Sequence, residues 1–325
     1  MVNIDVDRTA GGNVSSREKL SSKLRVRVQG GRRSRKSLGT EEIHAGAPLI
    51  SIITVVRNGG KYLEQTIESV INQTYENIEY IIVDGASNDD TLNIIRRYED
   101  DITFWQSERD VGIYDAMNKG CEKASGRYVL FLGAGDRFFN NTSLADVIAQ
   151  SLVADGYPDL IAAQVMYGFK NKLLGPSWPL NEYALHQHGP AHQGLLVERS
   201  VYKRIRYDPY FRIVGDVDFY TKLREQGLFS PRFVRTTLAV FRLGGMSNRI
   251  TSEFQKQVEY VRHSYKHSGS INIPYFVCGM VFALVKWFVA IMLGIDLYYT
   301  LAYPQLVRIR WGYFPSRTSG ESLHS

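Results

Sequence analysis

From Leu49 the chain alternates between two apolar patterns. LISIITVV (49–56) is an unbroken apolar, β-branched run, as expected of a strand covered on both faces. A polar turn, RNGGKY, leads into LEQTIESVINQ, where apolar residues recur at helical spacing. The cycle repeats: IEYIIVD (78–84) predicts a strand, GASN a turn, and DDTLNIIRRYED a helix starting on acids that suit its N-terminus. ITFWQSE (102–108) predicts a third strand, GIYDAMNKGCEKA (112–124) a helix ending before Gly126, and RYVLFLG (127–133) a fourth strand. Strands alternating with helices predict an α/β fold with a mostly parallel, Rossmann-like sheet and helices on both faces. Ligands bind such sheets beyond the carboxyl ends of the strands. Thr54 to Asn58, Asp84, Glu108 and Asp136 all fall at those ends.

Beyond residue 155 the pattern loosens. DLIAAQVMYG and HQGLLVE read as strands, DVDFYTKLREQG (216–227) as a helix and RFVRTTLAVFRLGG as a closing strand. Pro274 to Ile295 is then 22 residues with one charge, Lys286. That length could cross a bilayer, but a central lysine is costly for a lone spanning helix. Arg308, Arg310 and Arg317 follow, and basic flanks favour the cytoplasmic side. An interfacial or re-entrant segment avoids the conflict, with a buried helical pair as the alternative. The expected domains are a basic, disordered arm (1–47), an α/β domain (48–250) and an apolar, helical, membrane-associating region (251–325).

Composition adds two constraints. The net charge of +6 is concentrated at the start, where residues 1–47 hold ten Lys/Arg against five Asp/Glu. A solvated tail or a polybasic segment for anionic lipid follows from that; no nucleic-acid module accompanies it. Two cysteines, Cys121 and Cys278, form neither a disulfide framework nor a metal cluster. The arm has no apolar h-region, so no cleaved secretory signal is expected and the cytoplasm is the expected compartment.

The stretch SIITVVRNGGKYLEQTIESVINQTYENIEYIIVDGASNDDT, followed by SERDVGIYDAMNKG, resembles family 2 glycosyltransferases of the GT-A fold. Within that family it is similar to bacterial polysaccharide and lipopolysaccharide transferases. The likeness runs from about Pro48 to Asn248 and is dense over residues 50–139. It implies that Thr54, Val55, Asn58 and Asp84 hold the donor nucleotide, although the usual second acid is Gly85. It also implies that Asp115, Asn118 and Lys119 line the donor diphosphate and sugar; spacing puts Asp115 and Asn118 on one helix side and leaves Lys119 open as a surface cation. LFLGAGD occupies the family's Asp-x-Asp position with Gly133 and Gly135 where polar or acidic residues are usual. Asp136 remains as the expected ligand for Mg²⁺ or Mn²⁺, with neutralisation by a Lys or Arg as the alternative.

By the same resemblance, Asp216 is the expected general base, with Asp218 as the fallback, and His192 and Gln193 lie on the acceptor side. The implied reaction is one inverting displacement, in which the base takes the acceptor's proton and the metal steadies the departing nucleoside diphosphate. The expected partners are a nucleotide-sugar donor, a UDP-sugar first, a lipid-linked or polysaccharide acceptor and the inner face of the cell membrane, where the protein would be peripheral or monotopic. Homo-oligomerisation is left open. The competing readings are a degenerate donor-binding or scaffold protein and a sugar-nucleotide-forming nucleotidyltransferase.

Overall fold

The computed structural model describes residues 3–5, 27–32, 47–151, 158–170, 172–176, 190–245, 248–303 and 306. The chain divides into two compact units: Met1–Tyr167 with Pro176–Arg242, and Gly168–Gly175 with Leu243–Ser325. In chain order the first half comprises β1 (Asn3–Asp5), β2 (Arg27–Gly30), β3 (Ile50–Val56), α1 (Gly60–Ile71), β4 (Ile78–Asp84), α2 (Thr91–Arg97), β5 (Phe104–Ser107), α3 (Ile113–Lys123), β6 (Tyr128–Phe131) and β7 (Arg137–Phe138). There follow α4 (Ser143–Ser151), β8 (Leu160–Phe169), β9 (Lys172–Pro176), β10 (Leu195–Glu198), α5 (Arg199–Arg204), α6 (Gly215–Glu225), β11 (Arg232–Arg242), α7 (Ser252–Ser268) and α8 (Ile273–Leu297).

One mixed sheet carries the first unit, in the order β1-β2-β5-β4-β3-β6-β10-β8-β11-β7. Its centre is parallel: β3 pairs with β4 and β6, and β4 with β5. β10 then runs antiparallel to β6 and β8. Every residue of β3 is buried, which is why its sequence has no polar alternation. α1 buries Leu63, Thr66, Ile67 and Val70, one stripe of its surface. α3 seats on β3 so closely that a Cβ at Gly120 would lie 2.5 Å from Ile53 Cγ2. Buried Glu79 of β4 accepts from Ser51 Oγ (2.5 Å), Ser125 N (2.7 Å) and Ser125 Oγ (2.6 Å). Those donors satisfy an acid that would otherwise be costly to bury.

Part of the basic arm is ordered, against expectation. β2 pairs antiparallel with β5, Val28 opposite Ser107 and Gly30 opposite Trp105. Gly30 and Gly31 make this possible, because a Cβ at Gly30 would lie 2.5 Å from Trp105 Nε1 and one at Gly31 2.9 Å from Ile102 O. β1 pairs with β2, and most of the rest of the arm lies outside the described residues.

In the second unit, α7 and α8 pack together. The buried residues of α8 are Gly279, Ala283, Lys286 and Ala290, a stripe at four-three-four spacing. Lys286 is only 3% exposed, and its Nζ lies 3.1 Å from Glu253 Oε2 of α7. The lysine that argued against a lone spanning helix is thus turned inward and paired. Val281, Leu284, Trp287, Phe288, Ile291 and Met292 are exposed on the same helix. The helix is long and apolar enough to cross a membrane. Arg308, Arg310 and Arg317 lie outside the described residues.

The close seat of α3 on β3 is testable. Gly120→Ala, despite alanine's better helix propensity, is expected to destabilise the protein by about 1–3 kcal/mol through overpacking against Ile53. Urea unfolding checks this; an unchanged or raised midpoint would mean that the interface yields.

Candidate active site

The carboxyl ends of β3, β4, β5 and β6 open at one edge, and the polar residues there are bound first to one another. Asp84, the last residue of β4, is fully buried. Its Oδ2 accepts from Ser87 N (3.0 Å) and Ser107 Oγ (2.5 Å), and its Oδ1 accepts from Ser87 Oγ. The carboxylate therefore shapes the turn after β4. Thr54 is also fully buried, with Oγ1 3.1 Å from the Tyr80 hydroxyl, and Val55 is buried in the strand. Asn58 has φ 52°, a left-handed conformation that asparagine tolerates. Its N–H donates to Ser87 Oγ (2.7 Å) and its Oδ1 accepts from Asn88 N (2.9 Å), clasping the β3–α1 turn to the β4–α2 turn.

The expected second acid at Gly85 is replaced in space, not in sequence. A Cβ at Gly85 would lie 2.3 Å from Asp110 Oδ2, so the Asp110 carboxylate occupies the room a side chain there would need. Burial pushes the Asp110 carboxyl up, against the opposing pull of Lys119 and Arg57.

Helix α3 supplies the next layer. Asp115 Oδ2 accepts from Val111 N (3.0 Å), closing the loop that precedes the helix. Lys119 is no free surface cation: its Nζ lies 3.0 Å from Glu108, 3.2 Å from Asp115 and 2.9 Å from the Arg109 carbonyl. Asn118 turns from the expected donor-facing position to the backbone of Tyr207. It donates to Tyr207 O (2.9 Å) and accepts from Tyr207 N (3.1 Å). Tyr207 in turn stacks between Tyr114 (5.5 Å between centroids) and Phe219 (4.6 Å), joining α3 to α6.

The first turn of α6 holds both candidate bases, and the structure separates them. Asp218 is fully buried and its Oδ2 pairs with Lys222 Nζ at 2.7 Å. Burial and the Lys222 pair set it apart from Asp216 as the fallback candidate. Asp216 is 27% exposed; its Oδ1 accepts from Val217 N (2.9 Å) and its Oδ2 lies 3.9 Å from His192 Nδ1. Tyr114 donates from its hydroxyl to Ile213 O (2.8 Å), fixing the approach to this helix.

His192 and Gln193 share a short 3₁₀ turn and face different acids. His192 looks toward Asp216, while Gln193 Nε2 donates to Asp136 Oδ2 at 2.8 Å. One dipeptide therefore links two carboxylates 80 positions apart in the chain.

Asp136 does not fit the divalent cation expected of it. It is 6% exposed and already surrounded by N–H donors: Gln193 Nε2, Gly133 N (3.2 Å) and Arg242 N (2.9 Å, onto Oδ1). Burial pushes its carboxyl up, while the Arg242 N–H, the Gln193 amide and nearby His192 oppose that. A hard cation needs open oxygen ligands, and here most lone pairs are spent. The neighbouring position is also closed to an acid. Gly135 has φ +103°, and a Cβ there would lie 2.8 Å from Arg242 Cδ and 3.3 Å from Tyr62 Cβ.

Sequence reasoning missed Asp110, Ser87, Ser107, Tyr114 and Arg242. Asp110 sits inside a quoted motif, but nothing in spacing ties it to Gly85. Arg242 is 106 residues from Asp136, beyond the reach of any local pattern.

With this geometry in view, comparisons with known proteins are informative. The family profile described as Glycosyl transferase family 2 matches residues 51–182. A Mycobacterium bovis protein named PGL/p-HBAD biosynthesis glycosyltransferase is 30% identical over 219 residues, covering 65% of this chain and 84% of that protein. A putative teichuronic acid biosynthesis glycosyltransferase, TuaG of Bacillus subtilis, is 40% identical over 94 residues, 28% of this chain and 37% of its own. Among solved structures, the mannosyltransferase PcManGT of Pyrobaculum calidifontis, in complex with GDP-Man and Mn²⁺, aligns with TM-score 0.52 at 16% identity. It covers 86% of this chain and 84% of its own. S. aureus TarS 1-349 in complex with UDP-GlcNAc aligns with TM-score 0.50 at 16% identity, covering 67% of each chain. At such identities these two establish the fold alone.

The Gln193 bond to Asp136 is expected to be structural. Gln193→Leu leaves a buried carboxylate one donor short and is expected to cost about 1–3 kcal/mol of stability. Urea unfolding of the variant with an unchanged midpoint would show that the carboxylate is held by other means.

Proposed function

The chain belongs to glycosyl transferase family 2, and we propose that it moves a sugar from a nucleotide-sugar, a UDP-sugar first, to a hydroxyl of a lipid-linked or polymeric glycan with inversion at the anomeric carbon. The observation that carries this reading is the position of Asp216. It is a partly exposed carboxylate on the first turn of α6, beside His192, and tied through the neighbouring Gln193 to the end of β6.

In this reading the donor lies along the edge formed by β3, β4 and β6. The clasped turns at Asn58, Asp84 and Ser87 set its floor, and the Asp84 carboxylate acts by holding the turn whose backbone meets the nucleotide. Asp110 stands where the family's second acid would be and is the acid placed to meet ribose hydroxyls. Asp115, held by Val111 N and Lys119, shapes the loop beside the diphosphate and sugar, and Asn118 acts at one remove, by fixing Tyr207. Asp216 takes the proton of the acceptor hydroxyl as that oxygen bonds to the anomeric carbon and the bond to the diphosphate oxygen breaks. His192 at 3.9 Å orients the carboxylate and flanks the acceptor. No covalent sugar–enzyme intermediate is required.

The names of the relatives, PGL/p-HBAD and teichuronic acid biosynthesis, support a glycolipid or polymeric glycan acceptor. Helix α8 supports placing the reaction at a membrane surface. Its small residues and paired Lys286 face α7, while Trp287, Phe288 and Ile291 are 47, 60 and 58% exposed. In this reading the exposed apolar side chains of α8 meet the membrane.

Two measurements test the reading. Nucleoside diphosphate release from UDP-, GDP- and dTDP-sugars, with a bacterial lipid extract as acceptor, is expected for one donor. Asp216→Asn is expected to lower turnover by about 10²–10⁴-fold with donor binding unchanged; full-rate turnover in that variant would remove Asp216 as the base. The full chain is also expected to float with phosphatidylglycerol-containing vesicles, and a Phe288→Glu, Ile291→Glu double variant to stay behind. Equal flotation of both proteins would show that α8 is not the contact.

A further inference from the structure

The misfit of Asp136 as a metal ligand leaves the charge of the donor diphosphate unanswered, and the same residues indicate what answers it. Four observations converge at the end of β6. The backbone at Gly135 runs at φ +103°, which penalises any side chain with a Cβ. The space that such a side chain would fill is taken by Arg242, whose Cδ would lie 2.8 Å and Nε 3.7 Å from that Cβ. Its guanidinium lies on the Tyr62 ring, with Cζ 3.3 Å from the ring centroid. The backbone N–H of the same arginine holds Asp136 Oδ1 at 2.9 Å. One residue therefore anchors the remaining acid and places a permanent cation where the missing acid would stand.

We propose that Arg242 binds the donor diphosphate in place of a divalent cation, so that donor binding and turnover are independent of metal. The inference rests on the transferase reading above. A guanidinium stays protonated at all working pH values and offers a planar fork that matches two phosphate oxygens. Stacking on Tyr62 presets that fork, so little side-chain entropy remains to be lost on binding. In the displacement, the bond from the anomeric carbon to the diphosphate oxygen breaks and its electron pair stays on that oxygen. The proton of the acceptor hydroxyl passes to Asp216. The charge gained by the leaving diphosphate then faces Arg242, a fixed cation aimed at where charge develops. An acid at position 135 would recruit a metal; an arginine folded over a glycine removes the need for one.

The test is calorimetric titration of the full chain with nucleoside di- and monophosphates (UDP and UMP, GDP and GMP, dTDP and dTMP), in EDTA and in Mn²⁺. The wild-type protein is expected to prefer one diphosphate to its monophosphate by about tenfold or more, equally in both buffers. Arg242→Gln is expected to cut that preference by about tenfold while leaving monophosphate affinity unchanged. Arg242→Lys keeps the charge but loses the fork, is the variant to use if the glutamine protein fails to fold, and is expected to lose the preference severalfold. A preference that appears only with Mn²⁺ and vanishes in EDTA would overturn the inference while leaving the transferase reading intact. So would a preference that survives Arg242→Gln. Failure of every nucleotide to bind the folded wild-type protein would overturn the transferase reading itself, and the inference with it.

Discussion

The buried carboxylate of Asp136 is the constraint around which the site is arranged. Its three N–H donors come from the turn after β6, the 3₁₀ turn before β10 and the last residue of β11. A carboxyl buried in that position is costly unless it is supplied with such donors. Satisfying it fixes where each of those segments can sit. Gln193 must point at Asp136, so adjacent His192 is delivered to Asp216. Arg242 must give its backbone N–H to the same acid, so its side chain falls across Gly135 onto Tyr62. One costly buried group thereby sets the positions of the candidate base, its neighbour and the cation.

Much of the polar character of this edge is spent on holding loops. Asp84 with Ser87 and Ser107, Asn58 with Asn88, and Asn118 with Tyr207 are all side chains satisfying backbone or neighbouring hydroxyls. A loop edge pinned in this way offers a donor a preset surface, which lowers the ordering cost of binding. Glycines take part differently. At Gly85 and Gly135 the absent side chain is matched by an incoming one, Asp110 and Arg242, so that a loss in sequence is filled in space. At the first the sign of the charge is kept; at the second it is reversed.

The parallel core was legible because its strands are buried on both faces, so LISIITVV and IEYIIVD have no competing pattern, and β4 spans the residues expected of it. The strand β2 was not, because a four-residue strand with two polar side chains and a glycine is held by pairing with β5, not by its own periodicity. In the site, the residues expected from the resemblance come together at one sheet edge, but the directions of their side chains could not be read from the sequence. Asp216 and Asp218 are two residues apart on one helix turn and look equivalent in sequence. Burial and Lys222 make them opposites. Lys286 looked like an obstacle in an apolar helix; Glu253, 33 positions earlier, turns it into a seam. Partners so far apart in the chain leave no local trace.

The most direct test of the whole account is a crystal structure of the chain grown with its nucleoside diphosphate and Mn²⁺, with diffraction collected at the manganese edge. The account predicts the nucleotide along the ends of β3 and β4, its β-phosphate against the Arg242 guanidinium, and no anomalous peak beside Asp136. A manganese peak on the Asp136 carboxylate, with Arg242 swung away from Tyr62, would contradict it.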